Sequence, residues 1–296
     1  MTPELAEALK QSTAETEAAL DALCPASPEL EGRVYESMRY SLFAGGKRLR
    51  PFLVMASGDL FHVPHENSVR AAAAIEMIHT YSLIHDDLPC MDDDDLRRGK
   101  PTNHRQFDEA TAVLAGDALQ PLALQTLLDP KTEPDTGIRL ELAHSLAVAA
   151  GAAGMVGGQM IDLQAETTSY SLDQITRLQN MKTGALIAWS CEAGAILGHA
   201  TAAEREALHA YGLDIGLAFQ IADDVLDIES TPEQMGKATS KDAEAGKETF
   251  ITLLGLDDAK ARARELVDAA VARLDLFGER AFLLRDVASY VIERRS

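Results

Sequence analysis

Between residues 86 and 98 the chain reads Asp86-Asp87-Leu88-Pro89-Cys90-Met91-Asp92-Asp93-Asp94-Asp95-Leu96-Arg97-Arg98, six aspartates running into two arginines. Any fold of this chain has to neutralise that charge. A hard divalent cation held by carboxylate oxygens is the simplest remedy, and magnesium usually keeps several waters and is shared with phosphate oxygens. The adjoining arginines point to phosphate, because the planar guanidinium fork matches its geometry. Taken alone, an aspartate run reads as a solvated loop. Two features argue against that here. The acids follow an apolar helix with no Lys or Glu among its last residues, and a second cluster, Asp223-Asp224-Val225-Leu226-Asp227, lies about half a chain away.

Abundant Ala and Leu, 5% aromatics and the scarcity of alternating Val, Ile and Thr stretches favour an all-α fold. A chain of 296 residues fits one large domain or two, and length alone does not choose. The formal charge of −20 argues against a nucleic-acid partner and against attraction to anionic membranes. An anionic substrate therefore needs basic residues gathered locally. Cys24, Cys90 and Cys191 are odd in number and lack metal-like spacing, which fits reduced thiols in a cytoplasmic protein. Glu4 and Glu7 stand where a signal peptide would be basic and then apolar, so none is expected. The most apolar stretches, 142–158 and 185–198, are interrupted by His144, glycines and Glu192 and read as buried core helices rather than membrane insertions.

Helices are expected over 2–23 and over 28–43, the second capped by Ser27-Pro28 and ended by Gly45-Gly46. Lys47-Arg48-Leu49-Arg50 then places three cations at the mouth of a short apolar helix over 52–61. On a helical turn Lys47 and Arg50 would share a face and grip one anion. The stretch 68–88 reads as one long helix, with His79, Ser82, Leu83 and Asp86 on one stripe. His79 would sit about 10 Å from Asp86 at 1.5 Å per residue. Pro89 disfavours helix at Leu88. In a continuing helix Asp92 would be turned about 240° from Asp86, so a break is needed to fold it back. Asp223 and Asp227, four apart, need no such device.

Further on, 105–128 and 138–157 read as buried helices. Gly157-Gly158-Gln159 and Asp162 continue the same register, the glycines permitting close helix contact. Lys182-Thr183-Gly184 interrupts an apolar helix, an odd place for a lysine without a function. Gln220 and the second cluster lie at the end of a helix over 211–228. The lysine-bearing 229–248 reads as a lid, and 257–275 and 278–294 as closing helices. Two aspartate clusters ending apolar helices, with cations around them, suggest facing helices that hold metals and a diphosphate head above an apolar cavity.

This ordered set resembles the trans-isoprenyl diphosphate synthases, most closely the bacterial farnesyl diphosphate synthases. The resemblance rests on Gly46-Lys47-Arg48-Leu49-Arg50-Pro51, Asp86-Asp87-Leu88-Pro89 with Asp92 and Arg97-Arg98, Gly157-Gly158-Gln159, Lys182-Thr183-Gly184, Gln220 with Asp223-Asp224-Val225-Leu226-Asp227, and Gly236-Lys237. It implies a single-domain helical bundle over 1–296 around a central apolar cavity, a homodimer, and the condensation of isopentenyl diphosphate with dimethylallyl or geranyl diphosphate. It further implies roughly three magnesium ions per active site, with manganese as the alternative. By this likeness Asp86, Asp92 and Asp223 bind metal, with Asp87 and Asp227 in support. Arg97, Lys182 and Lys237 hold the allylic diphosphate, and Lys47, Arg50, His79 and Arg98 hold isopentenyl diphosphate. Thr183 and Gln220 face the reacting carbons.

One isoprene unit is comparable to a helical turn of about 5.4 Å, so a growing tail would stop four or five residues before Asp86. Those are Ser82 and Tyr81. Wheel geometry favours Ser82 and puts Tyr81 roughly 100° round. In the family an aromatic at that position marks short-chain enzymes, which implies a C15 product. The alternatives are a geranylgeranyl or other-length prenyl diphosphate synthase, a terpene cyclase, a non-catalytic regulatory subunit, or an acidic cation-binding protein.

Overall fold

The computed structural model describes residues 1–165, 167–229 and 248–293. Thr2 starts α1 (Pro3–Leu23) by accepting the Leu5 N–H at 3.2 Å, and Pro3 suits the first turn. The second helix, α2, runs Gly32–Leu42 and begins four residues later than expected. Ser27 Oγ accepts from Glu29 N instead of capping a helix, so the proline-containing segment forms a turn. α3 (Leu49–Asp59) and α4 (His65–Asp86) follow, each starting three residues earlier than expected. Pro64 permits helix from the next residue onward, so the turn through 62–67 is shorter than its composition suggests.

Helix α4 ends two residues before Leu88. Asp87 still has helical dihedrals, but Leu88 N–H bonds back to His85 O, three residues behind, and Pro89 follows. Ala71–Ala74 have no exposed surface, which lets α3, α6 and α10 pack closely around α4. A two-residue antiparallel ribbon, β1 (Leu96–Arg97) with β2 (Lys100–Pro101), closes the acidic loop. Next come α5 (Asn103–Gln106), α6 (Glu109–Leu128), α7 (Thr136–Ala150) and α8 (Met155–Gln164).

The expected continuous helix over 138–157 is broken. Gly151 and Gly154 lie at a bend where a Cβ on Gly154 would stand 2.0 Å from the Ala149 carbonyl oxygen. Nor is this stretch fully buried. By length and composition Thr136–Gln164 is apolar enough to cross a membrane, yet only 33% of its most apolar window is buried, and Val148, Val156 and Met160 lie exposed.

The second half comprises α9 (Leu172–Gln179), a π turn (Asn180–Gly184), α10 (Ala185–Leu197) and α11 (Ala202–Glu229). α12 (Phe250–Leu254), α13 (Leu256–Arg273), a 3-10 stretch (Leu274–Ala281) and α14 (Phe282–Glu293) complete it. One apolar core surrounds α4, α6, α7 and α10, and the other surrounds α3, α10, α11, α13 and α14. Helices α3 and α10 contribute to both. The all-α expectation holds, the short ribbon being the exception among the described residues.

Candidate active site

The acidic loop folds back as the break at Pro89 requires. Asp92 N–H donates to the Asp86 carbonyl at 2.9 Å, and Met91 and Asp93 N–H both return to Leu88 O. Burial pushes the Asp86 carboxyl up to about 6. Lys182 and Arg97 pull it down, and the neighbouring Asp92 and Asp87 raise it, so the two segments lie within electrostatic reach. The six aspartates divide by contact. Asp87 is buried, and its Oδ1 accepts from Arg97 Nε at 2.7 Å, with Nη2 2.6 Å away. In this arrangement the Asp87 carboxylate orients Arg97. Asp94 lies 3.7 Å from Arg97, and Asp93 and Asp95 pair with Arg105.

The interruption at Lys182-Thr183-Gly184 is the π turn, which frees carbonyls from the regular i→i−4 pattern and often marks a functional site. Lys182 Nζ donates to Asp162 Oδ2 at 2.8 Å, so the partly buried lysine has the partner it needs. Gly158 allows this approach: a Cβ there would stand 2.2 Å from Lys182 N. Across the site Thr183 Oγ1 donates to Gln220 Oε1 at 3.4 Å, joining the π turn to α11. One turn further along α11, Asp223 and Asp227 share a half-buried face. Asp224, between them, accepts the Phe250 N–H at 3.1 Å and so anchors the start of α12.

Lys47, Arg50, His79 and Arg98 line one cavity of about 830 Å³, together with the apolar Leu49, Ile187 and Phe219. They meet, but not through a shared helical turn. Arg48 is the N-cap of α3 at φ +47°, so Lys47 lies outside the helix and the chain turns between the two cations. Arg98 Nη1 donates to Gly45 O, and its guanidinium covers Gly46. Burial lowers the His79 pKa well below 6.5, and Arg50, Arg98, Arg97 and Arg48 reinforce it, so the ring is neutral at physiological pH. Burial likewise lowers Arg50 and Arg98, with Glu76 acting in the opposite direction on both.

Tyr81 is 5% exposed and meets His85 edge-on at 5.8 Å. Burial and then the Asp86 charge push its phenol up to about 12. Ser82, half-buried, spends its hydroxyl on His79 O at 2.9 Å. Among the described residues no three His, Cys, Asp or Glu groups converge as a closed metal cage. Asp86 and Asp87 at the end of α4, Asp92 in the loop after it, and Asp223 and Asp227 on α11 instead offer carboxylate oxygens only. That donor set fits a hard cation that completes its coordination with water and ligand oxygens. Lys237 lies outside the described residues, as do most of the expected lid and Arg294-Arg295.

Three residues of the site escaped sequence reading. Asp162 was noted for helical register alone, although a lysine in an apolar helix calls for a carboxylate partner. Glu76, inside the apolar run from Ala71 to Ile78, and Arg48, grouped with Lys47 and Arg50, form a buried pair at 2.5 Å. The lone acid in that run was the available signal.

The polyprenyl synthetase family profile matches residues 31–275. The farnesyl diphosphate synthase of Escherichia coli (strain K12) is 46% identical over 266 residues, covering 88% of this chain and 89% of that protein. A chloroplastic geranylgeranyl pyrophosphate synthase of Capsicum annuum is 44% identical, covering 88% and 71%. Among solved structures, an FPP/GFPP synthase from Zymomonas mobilis in its apo form superposes with a TM-score of 0.90 at 48% identity, covering 99% of this chain and 100% of that one.

Proposed function

The chain belongs to the polyprenyl synthetase family, and from that premise we propose that it is a trans-prenyltransferase that joins isopentenyl diphosphate to dimethylallyl and then geranyl diphosphate, releasing (2E,6E)-farnesyl diphosphate. The observation that carries this reading is the division of Arg97 and Arg98. Arg97 turns to Asp87 in the acidic loop, while Arg98 lines the cationic cavity with Lys47, Arg50 and His79. Two adjacent compartments, one acidic and one basic, suit two diphosphates held differently.

In this reading Asp86, Asp92 and Asp223 would hold magnesium, with Asp87 and Asp227 in support and manganese as a substitute. When bound, the metal supplies Lewis-acid stabilisation to the allylic diphosphate. Arg97 and Lys182 stabilise the negative charge that grows on the diphosphate as the allylic C–O bond breaks. Lys237 joins them as a proposal from sequence. The allylic cation left behind is shielded from water by the apolar walls. The π-turn carbonyls, Thr183 Oγ1 and Gln220 Oε1 offer it dipoles without attacking. Isopentenyl diphosphate, gripped by Lys47, Arg50, Arg98 and neutral His79, presents its double bond along Ile187 and Phe219. After C–C bond formation the released diphosphate takes the proton.

We take residues 1–296 as one domain, supported by α3 and α10 serving both cores. The exposed apolar residues Leu140, Val148, Val156 and Met160 on α7 and α8 support a homodimer. The free thiols Cys24, Cys90 and Cys191 support a cytoplasmic location. The test is to incubate purified protein with magnesium, isopentenyl diphosphate and dimethylallyl diphosphate and to identify products by chromatography. A C15 diphosphate is expected. A C20 product would favour a geranylgeranyl diphosphate synthase, and no product would favour a non-catalytic subunit.

A further inference from the structure

The cationic cavity contains a carboxylate that works against its proposed ligand. Among the described residues lining it are the positive side chains Lys10, Lys47, Arg48, Arg50 and Arg98, and the single acid Glu76. A buried negative charge beside an anion site weakens anion binding unless it does something else. Its partner shows what that is. Arg48 Nη1 donates to Glu76 Oε1 at 2.5 Å, and the two side chains are 1% and 3% exposed.

The same guanidinium reaches two further elements. Arg48 Nη2 donates to Leu42 O at the end of α2, and to Glu17 Oε1 of α1 at 3.4 Å. A single planar fork therefore ties α1, α2 and α4 to the residue that starts α3, a geometry an ammonium does not reproduce. The backbone at that residue is unusual. Gly45 and Gly46 have φ of +86° and +130°, and Arg48, with a full side chain, has φ +47°. Left-handed geometry at a non-glycine residue persists when its surroundings hold it. It is this turn that brings Lys47, which precedes α3, and Arg50, which lies within α3, to the same cavity.

A buried pair of this kind is weak evidence for stability, since well-packed apolar replacements often serve as well. Its value here is the shape of the turn. We propose that Glu76, acting through Arg48, is a positioning residue that holds the 45–50 turn so that Lys47 and Arg50 grip isopentenyl diphosphate together. This inference rests on the assignment of that diphosphate to the cationic cavity. His79, three residues along α4 from Glu76, shares the wall, so α4 carries both a direct contact and the support for two others.

The experiment is steady-state kinetics on the full chain with each substrate varied in turn, for E76A, E76Q, R48K and the double variant R48K/E76A. Circular dichroism and thermal melts run alongside. E76A and R48K are each expected to raise KM for isopentenyl diphosphate by about tenfold, leaving kcat and the allylic KM within about twofold. E76Q, which keeps a hydrogen bond to Arg48, should recover most of that loss. The double variant should be no worse than either single variant, because both break one linkage. Should E76A fail to fold, the comparison of R48K and E76Q with the parent decides the matter. The proposal is overturned if the variants only lower the melting temperature, if both KM values rise together, or if the two losses add. If the unaltered protein shows no saturable dependence on isopentenyl diphosphate, the functional reading falls, and this inference with it.

Discussion

Asp162 and Lys182 meet at 2.8 Å from segments twenty residues apart, and the contact fixes where the ammonium points. Both side chains are partly buried, so the pair is neither a screened surface bridge nor a fully desolvated one. Replacing Asp162 by Asn should cost about 1–2 kcal/mol of transition-state stabilisation, roughly a five- to thirtyfold loss in kcat/KM for the allylic substrate. Kinetics with the allylic diphosphate varied would show it, and an unchanged value would mean that Lys182 needs no orienting partner. Tyr81 argues differently, through bulk. With its phenol pushed up to about 12, it is uncharged at any ordinary assay pH and presents a neutral ring within electrostatic reach of Asp86. Tyr81→Ala should therefore lengthen the product beyond C15 on chromatography. If only the C15 product forms, another side chain forms the floor. Wheel geometry alone had favoured Ser82, whose hydroxyl is already engaged by His79 O.

The π turn between α9 and α10 depends on how closely α8 passes it. A methyl on Gly158 would stand 2.2 Å from Lys182 N, so Gly158→Ala must push α8 and the π turn apart. Overpacking of this kind costs about 1–3 kcal/mol, a few degrees in Tm, and here it should also lower kcat by displacing Lys182 and Thr183. Loss of stability with full activity would detach the glycine from the site. Helices were legible from their apolar periodicity, and α1 nearly to the residue, because Thr2 and Pro3 are local signals. The π turn was not: Lys182-Thr183-Gly184 marked an interruption, but one extra residue per turn leaves no trace in an apolar pattern. The fold-back of Asp92 was legible because Pro89 restricts Leu88. The end of α4 at Asp86 was not, since a tightened last turn depends on where Leu88 N–H finds a partner. Likewise, spacing brought Lys47 and Arg50 together for the wrong reason. A left-handed Arg48, held by a glutamate 28 residues away, does what a helical turn was expected to do.

At the scale of the molecule, the charge of −20 and the cation-lined cavity pull in opposite directions. Long-range repulsion of a diphosphate is screened within about 10 Å at ordinary salt, so the local basic wall decides binding. The excess acid also bears on association, because a surface this negative keeps copies apart unless an apolar face overrides it. Helices α6 to α8 carry the exposed apolar residues that could form one. Leu114, Leu140, Val148 and Met160 are each at least half exposed, while these helices contribute no proposed diphosphate contact apart from Asp162's hold on Lys182. In the proposed homodimer, exposed apolar side chains of this kind would be buried at the contact, paired with themselves across a twofold axis. Sedimentation equilibrium should therefore give twice the 31.9 kDa chain mass. Joint replacement of Leu140 and Val148 by Glu should place like charges across that axis and yield monomers with retained helicity. A parent protein that sediments as a monomer at micromolar concentration would remove the dimer from the account, and the apolar face of α7 and α8 would then need another partner.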